Sequence, residues 1–259
     1  MLSNLAEYRA SAAERERVAD LFSHLPGRGD RALDVGARDC YLSKMLAERF
    51  QRVVALDLER PEVDHPAIDP VAGSVASLPF EDNQFDVVLC AEVLEHIPEH
   101  LLARACSEIA RVARGQVVIG VPYRQDLRSG RTTCQHCGKS NPPWGHVNSF
   151  DETRLRSLFG ALTWQKSSFV GTTTDSTNWL SAALLNFAGN PFGTWEQDEA
   201  CVHCGSAIGS PETRTPVQRV ATRLAFVINR LQARFVEPRG NWIHVLFSKP
   251  SAVDRSVAQ

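Results

Sequence analysis

The chain has 259 residues, 43% hydrophobic and 22% charged, with a net charge of −2 at neutral pH and a pI near 6.4. That composition can bury one large core, or a core plus an accessory lobe. It gives no electrostatic footing for a nucleic-acid partner, whose phosphates call for a basic face. No apolar run reaches the roughly 18 to 20 residues of a membrane span. The opening MLSNLAEYRASAAERERV is a charged helical pattern unlike a signal peptide, so a cytoplasmic location is expected.

Residues 5–24 carry a helix pattern that Pro26, Gly27 and Gly29 break. Strand-like runs then alternate with helical ones. RALDV (31–35) precedes a helix over 39–49, RVVALDL (52–58) a Pro-containing loop, and FDVVLC (85–90) a helix over 101–113, before GQVVIGVP (115–122). Apolar strands separated by amphipathic helices predict a doubly wound α/β core with helices on both faces of a mostly parallel sheet. Its ligand site is expected beyond the carboxyl ends of the strands. After Val121 the rhythm changes. A polar Cys-containing segment runs from Tyr123 to Ser149, and DETRLRSLFG reads as a helix with Asp151 near its cap. TWQKSSFVGTTT (163–174) reads as a strand, and NWLSAALLNFAG as a helix in a second insertion over about 175–238. NWIHVLFSKP (241–250) reads as the last strand and SAVDRSVAQ as a frayed tail. Apart from two Cys pairs there is no internal repeat.

Four stretches, LDVGARDCYLS, VVALDLE, GSVASLPFEDNQFDVVLCAEVLEHIPE and ARGQVVIGVP, follow one another over roughly residues 30–122. In order and spacing they resemble the class I S-adenosylmethionine-dependent methyltransferases, especially the small-molecule branch of ubiquinone and menaquinone biosynthesis. The resemblance implies a seven-stranded Rossmann-like sheet and S-adenosylmethionine as methyl donor. It places Asp34, Gly36, Arg38, Asp57, Leu58, Ser74, Val75 and Cys90 around that donor. Gly36 would allow close backbone approach, since it has no Cβ. Asp34 would hold the methionine end, directly or through water, and the two oxygens of Asp57 would accept from the ribose diol. Ser74 and Val75 would meet adenine, with Leu78 to Phe80 behind them, and Cys90 would offer its carbonyl to the donor's amino group. The family pattern acid-x-Gly-x-Gly-x-Gly is incomplete here. Arg38 and Cys40 stand at the later glycines, and Ser74 replaces the adenine-side acid. A nicotinamide-binding Rossmann enzyme would also use Asp57 but needs the full G-x-G-x-x-G turn.

Methyl transfer is an in-line displacement in which the enzyme mainly positions the acceptor, and a hydroxyl acceptor also needs a base. Two histidines are candidates: His96 in EVLEHIP and His146 in WGHVNSF. In the family a His-x-x-x-Phe stretch faces the acceptor pocket, which would make Phe150 its aromatic. Glu92 and Glu95 are either partners of these histidines or part of a solvated helix face.

CQHCG (134–138) and CVHCG (201–205) each present two thiolates with a glycine easing the turn. In a reducing compartment Cys134, Cys137, Cys201 and Cys204 are expected to complete one structural Zn²⁺ site. His136 and His203 are loop residues in this reading, and Cys40, Cys90 and Cys106 are free core thiols. The run 215–235 places Val217, Val220, Leu224, Val227 or Ile228, Leu231 and Phe235 on a stripe opposite Arg219, Arg223, Arg230 and Arg234. Such a helix can lie on a membrane or cover a pocket. It is expected to pack as a lid or as the helix of a homodimer.

The organisation expected is an N-terminal helical segment (1–29), a donor-binding core (30–122), a first zinc-knuckle insertion (123–149), and a core helix and strand (150–174). A helical lid with the second knuckle (175–238) and a last core strand and tail (239–259) follow. The function expected is O-methylation of a small-molecule or saccharide acceptor. A zinc-containing RNA methyltransferase and a non-catalytic binding protein on the same fold are the alternatives.

Overall fold

The computed structural model describes residues 7–195, 197, 199–209 and 213–250; the tail read over 251–259 and positions 1–6 lie outside the described residues. The chain divides into two compact units. The first comprises Met1–Tyr123, Phe150–Gly171 and Gly240–Gln259, the second Arg124–Ser149 and Thr172–Arg239.

In the first unit the elements are α1 (Ala12–Ser23), β1 (Gly29–Val35), α2 (Tyr41–Ala47), β2 (Phe50–Asp57), β3 (Ile68–Ala72), β4 (Phe85–Ala91), α3 (Glu99–Val112), β5 (Ala113–Pro122), α4 (Glu152–Leu158), β6 (Thr163–Val170) and β7 (Trp242–Ser248). The strands form one seven-stranded sheet in the order β3-β2-β1-β4-β5-β7-β6, in which β7 alone runs antiparallel to its neighbours. β3 carries Pro70 at the sheet edge, where a missing N–H is tolerated. That proline is why the sequence pattern reads the segment only as loop.

Alternation along the strands builds both faces. Leu33, Val35, Val54, Leu56, Val88, Val117, Ile119 and Val245 meet Leu102, Ala105, Ile109 and Leu155 of α3 and α4. Their neighbours Ala32, Val53, Ala55, Val87, Leu89 and Val118 meet Val18, Leu21, Phe22 and Leu46 of α1 and α2. The period of two on the strands and the i, i+3, i+7 spacing on α3 therefore deliver two dry layers around a single sheet. Ser11 caps α1 by accepting from Glu14 N–H, and Asp151 caps α4 by accepting from Arg154 N–H.

The second unit holds a short antiparallel ribbon, Thr132–Thr133 with Ser140–Asn141, and two helices, α5 (Trp179–Phe187) and α6 (Pro216–Gln232), that pack on each other. Both helices start in a capping box, Asn178 with Ser181 and Thr215 with Gln218. The residues α6 buries are Ala221, Thr222 and Ala225. The Val217, Val220, Leu224, Val227 and Leu231 stripe, expected to pack as a lid or as the helix of a homodimer, is exposed in the single chain. Small residues let two helices approach closely, and that face has won the contact. No helix among the described residues is long and apolar enough to cross a membrane.

A buried polar chain ties α1 to the last two strands. His244 Nδ1 lies 2.6 Å from Asp20 Oδ2, Ser168 Oγ donates to the same oxygen, and His24 Nε2 lies 2.7 Å from Ser168 Oγ. Burial, aided by the charge of Lys166, pushes the His24 imidazole down to about 4. An unfolded histidine takes its proton near pH 6.5. The contribution of neutral His24 is thus complete above about pH 6.5 and is lost as the pH falls towards 4. The melting temperature should drop over that interval, and His24→Asn should shrink the drop, as read by thermal unfolding in a pH series.

Candidate functional site: the mouth of the sheet and a four-cysteine centre

The turn after β1 folds back onto β2. Gly36 and Ala37 both donate their N–H to Leu56 O, at 2.8 and 3.0 Å. Gly36 has φ +78°, and a Cβ there would lie 2.2 Å from Val93 Cγ2, so glycine is required. Arg38 and Cys40 also have positive φ, 45° and 59°. The turn therefore keeps a left-handed backbone at all three positions where the family pattern has glycine. A non-glycine residue held there costs about 1 to 2 kcal/mol. Two contacts offset the cost: Arg38 N–H donates to Asp57 Oδ2 at 2.8 Å, and the Cys40 side chain is fully buried in the core.

Around this turn stand the other candidates, at the carboxyl ends of β1, β2, β3 and β4. Asp34 is buried and accepts from Ser43 Oγ at 2.5 Å. Burial pushes its carboxyl up to about 6; the Ser43 hydrogen bond opposes this and the Asp57 and Asp39 charges add to it. Asp57 Oδ1 accepts from Leu58 N–H at 2.7 Å, and the Leu58 side chain beside it is 77% exposed. Gly73 N–H donates to Asp57 O at 2.8 Å, which sets Ser74 and the buried Val75 next to the end of β2. Cys90 is fully buried and pairs in the ladder with Val35 and Ile119; burial drives its thiol well above the usual range.

Sequence reasoning missed what holds the neighbouring loop. Glu108 of α3 accepts from Leu78 N–H at 2.9 Å, while Arg111 donates to Leu78 O, Phe80 O and the Asp82 carboxylate. Both lie one helical turn apart beside the apolar face of α3, where a charge pair looks like an ordinary i, i+3 couple.

The base candidates fall in different units. His96 ends the 3₁₀ turn Leu94–His96 after β4, in the first unit. His146 follows Pro143–Gly145 in the second unit, buried, with Nδ1 2.6 Å from Gln125 Oε1. That oxygen only accepts, so Nδ1 is the donor of the pair. Phe150 does not line a pocket: it is 1% exposed within the α3–α4 core layer, with Arg154 over its ring. Glu92 and Glu95 are not on a solvated helix face either. Glu92 accepts from Trp242 Nε1 at 3.3 Å, near Arg17. Glu95 is fully buried, and neither carboxyl oxygen has a hydrogen-bond partner among the described residues. Burial, with the Glu92 charge, raises its pKa far above that of a solvated carboxyl.

In the second unit the four cysteines converge, with their Sγ atoms all within 4.8 Å of one another. Cys134 and Cys204 are 3.7 Å apart, as are Cys137 and Cys201. A disulfide needs about 2.05 Å, whereas thiolates about 2.3 Å from a tetrahedral zinc lie about 3.8 Å from each other. The two turns are alike in detail. Gly138 N–H donates to Cys134 O and Gly205 N–H to Cys201 O, both at 2.8 Å, with φ +68° and +71° at the glycines. The donor set thus fits one tetrahedral ion. His203 Nε2 is 3.1 Å from Ser140 O, as a loop residue, and Cys40, Cys90 and Cys106 are buried free thiols.

Residues 33–119 match the methyltransferase domain family model. That span contains every donor-side residue named above. The chain is 32% identical over 112 residues to a "probable S-adenosylmethionine-dependent methyltransferase" of Mycolicibacterium smegmatis, covering 40% of this chain and 43% of that protein. Over 116 residues it is 32% identical to the ubiquinone biosynthesis O-methyltransferase of Stutzerimonas stutzeri, covering 39% and 48%. The matches thus span less than half of either relative. Among solved structures, the N-methyltransferase NodS from Bradyrhizobium japonicum aligns with a TM-score of 0.53 and 14% identity, over 94% of this chain and 99% of that one. The fold is that of the Rossmann-like methyltransferases, and S-adenosylmethionine-dependent methyltransferases are among its relatives.

Two substitutions in the turn should act in opposite directions. Gly36→Ala meets Val93 and a positive φ together and should destabilise the chain by more than about 2 kcal/mol. Arg38→Gly removes a left-handed side chain and should be neutral or stabilising by up to about 1 kcal/mol. Chemical denaturation of the two variants measures both.

Proposed function

We propose that the protein is an S-adenosylmethionine-dependent methyltransferase whose first unit holds the donor. The observation that carries this reading is the turn after β1. It keeps the left-handed backbone of a glycine-rich loop without two of the glycines, and it lies against a strand-end carboxylate. In this reading Gly36 admits the methionine end, and Asp34, already tuned by burial, faces its positive charges. Asp57 exchanges part of its grip on Arg38 and Leu58 N–H for the ribose diol. Leu58 and Val75 flank adenine, Ser74 supplies a hydroxyl at its edge, and Cys90 offers its carbonyl to the amino group.

The reaction is a single displacement: the acceptor's lone pair forms a bond to the methyl carbon as the carbon–sulfur bond breaks. An oxygen acceptor sheds its proton, and we assign that proton to His146 or His96. His146 is the better prepared of the two in this reading, since Gln125 Oε1 accepts from its Nδ1 and orients the ring. O-methylation of a small-molecule or saccharide acceptor is favoured by the two histidines and by the O-methyltransferase among the relatives. Cys134, Cys137, Cys201 and Cys204 would hold a structural Zn²⁺, and four reduced thiols suit a cytoplasmic setting.

Calorimetric titration of the donor tests the first part. Asp57→Ala should weaken binding by about 2 to 3 kcal/mol. His146→Ala or His96→Ala should leave it intact while lowering turnover by about 10² or more. Undiminished donor affinity in Asp57→Ala would remove the carboxylate from the site, and no affinity in the unmodified protein would remove the function.

Metal analysis tests the second part. The purified chain should carry one zinc, and Cys134→Ser and Cys201→Ser should lose it equally while the seven-stranded sheet stays folded. Zinc retained in either variant would mean that the knuckles do not share an ion.

A further inference from the structure

Helix α6 has three faces rather than two. At about 100° per residue, Ala221, Thr222 and Ala225 form the packed face. Val217, Val220, Leu224, Val227 and Leu231 form an exposed apolar stripe next to it. Arg219, Arg223 and Arg230 form a row beyond the stripe, roughly a quarter-turn from its centre, and Arg234 follows in the 3₁₀ turn just past the helix. Leu224, Val227 and Leu231 are each more than half exposed, and Phe235 just past the helix is 88% exposed. Isolated apolar side chains on a surface need no explanation, but five in register along one helix do.

The charge says what covers the stripe. Residues 213–235 hold five arginines and no aspartate or glutamate. Among the described residues Arg219, Arg223, Arg230 and Arg234 enter no ion pair. Arg230 also lines a cavity of about 360 Å³ together with Arg128, Arg131, Asp175, Phe192 and Phe226, in which Arg128 is paired with Asp126. A second copy of the chain meeting α6 antiparallel about a two-fold axis would set arginine against arginine, with no carboxylate on the helix to answer it. An anionic bilayer offers hydrocarbon to the stripe and phosphate to the adjoining row at the depth each requires.

We propose that α6 lies in the interface of an anionic lipid bilayer and docks the protein there. The helix enters with its stripe towards the acyl chains, and its arginines stay at the level of the headgroups. The proposal stands independently of methyl transfer.

The test is flotation of the full chain with vesicles of phosphatidylcholine alone and of phosphatidylcholine with one-third phosphatidylglycerol. The chain should rise with the anionic vesicles and stay behind with the neutral ones. It should be released when salt is raised from about 0.1 to 1 M, which shortens the screening length from about 10 to about 3 Å. Val220→Ser with Leu224→Ser and Val227→Ser, and separately Arg219→Glu with Arg223→Glu, should each lower partitioning at least about tenfold. All these side chains are exposed, so thermal unfolding should be unchanged and any loss is read at the surface. Absence from anionic vesicles, or equal recovery with both kinds, overturns the proposal. So does a dimer in light scattering that the triple serine variant dissociates, which would give the stripe to a second copy.

Discussion

Two N–H groups, those of Gly36 and Ala37, converge on the carbonyl of Leu56, and the candidate site hangs from that junction. The junction draws the turn after β1 across the end of β2. Asp57 then lies close enough to accept from Arg38 N–H, and Asp34, Asp39 and Asp57 come within electrostatic reach of one another. Three carboxylates so placed raise the cost of ionising the buried one. Arg9, paired with Asp39, already sets one cation beside them.

The same junction explains how the turn tolerates a sequence that looks unfit for it. Glycine is needed at residue 36, where Val93 leaves no room for a Cβ. At residues 38 and 40 the requirement is only a left-handed backbone, which a hydrogen-bonded arginine and a buried cysteine can supply. A motif written in residue types conflates these two demands. The backbone separates them.

Much of the first unit was legible because its signals are periodic. Residues such as Leu33, Val35, Val54 and Leu56 alternate with inward neighbours on the other face, and helix α3 repeats its apolar residues every three to four positions. Where periodicity failed, chemistry had overridden it. Pro70 disguised an edge strand, and nothing in the pattern of β7 reveals its reversed direction, because an apolar strand buried on both faces reads the same either way. In α6 the helix was legible but its packed face was not, since hydrophobicity favours valine and leucine while close helix packing favours alanine and threonine. Phe150 shows the opposite error, an aromatic assigned to a pocket that the α3–α4 layer had absorbed. The zinc-type centre was readable from spacing within each Cys pair. Their convergence is a matter of topology, since the cysteines come from segments that α4 and β6 separate in the chain.

The place of β7 bears on how the chain is made. It follows β6 in sequence, yet in the sheet it lies between β5 and β6. A ribosome releasing this chain therefore delivers β6 well before the strand that alone connects it to β5. Until residues 242–248 emerge, β5 presents an open edge on that side and β6 has no neighbour to pair with. Both insertions, with the four thiols, are synthesised between β5 and β7. The metal-type centre can close before the sheet does, and the final strand completes the α/β layer by entering a gap rather than by extending an edge.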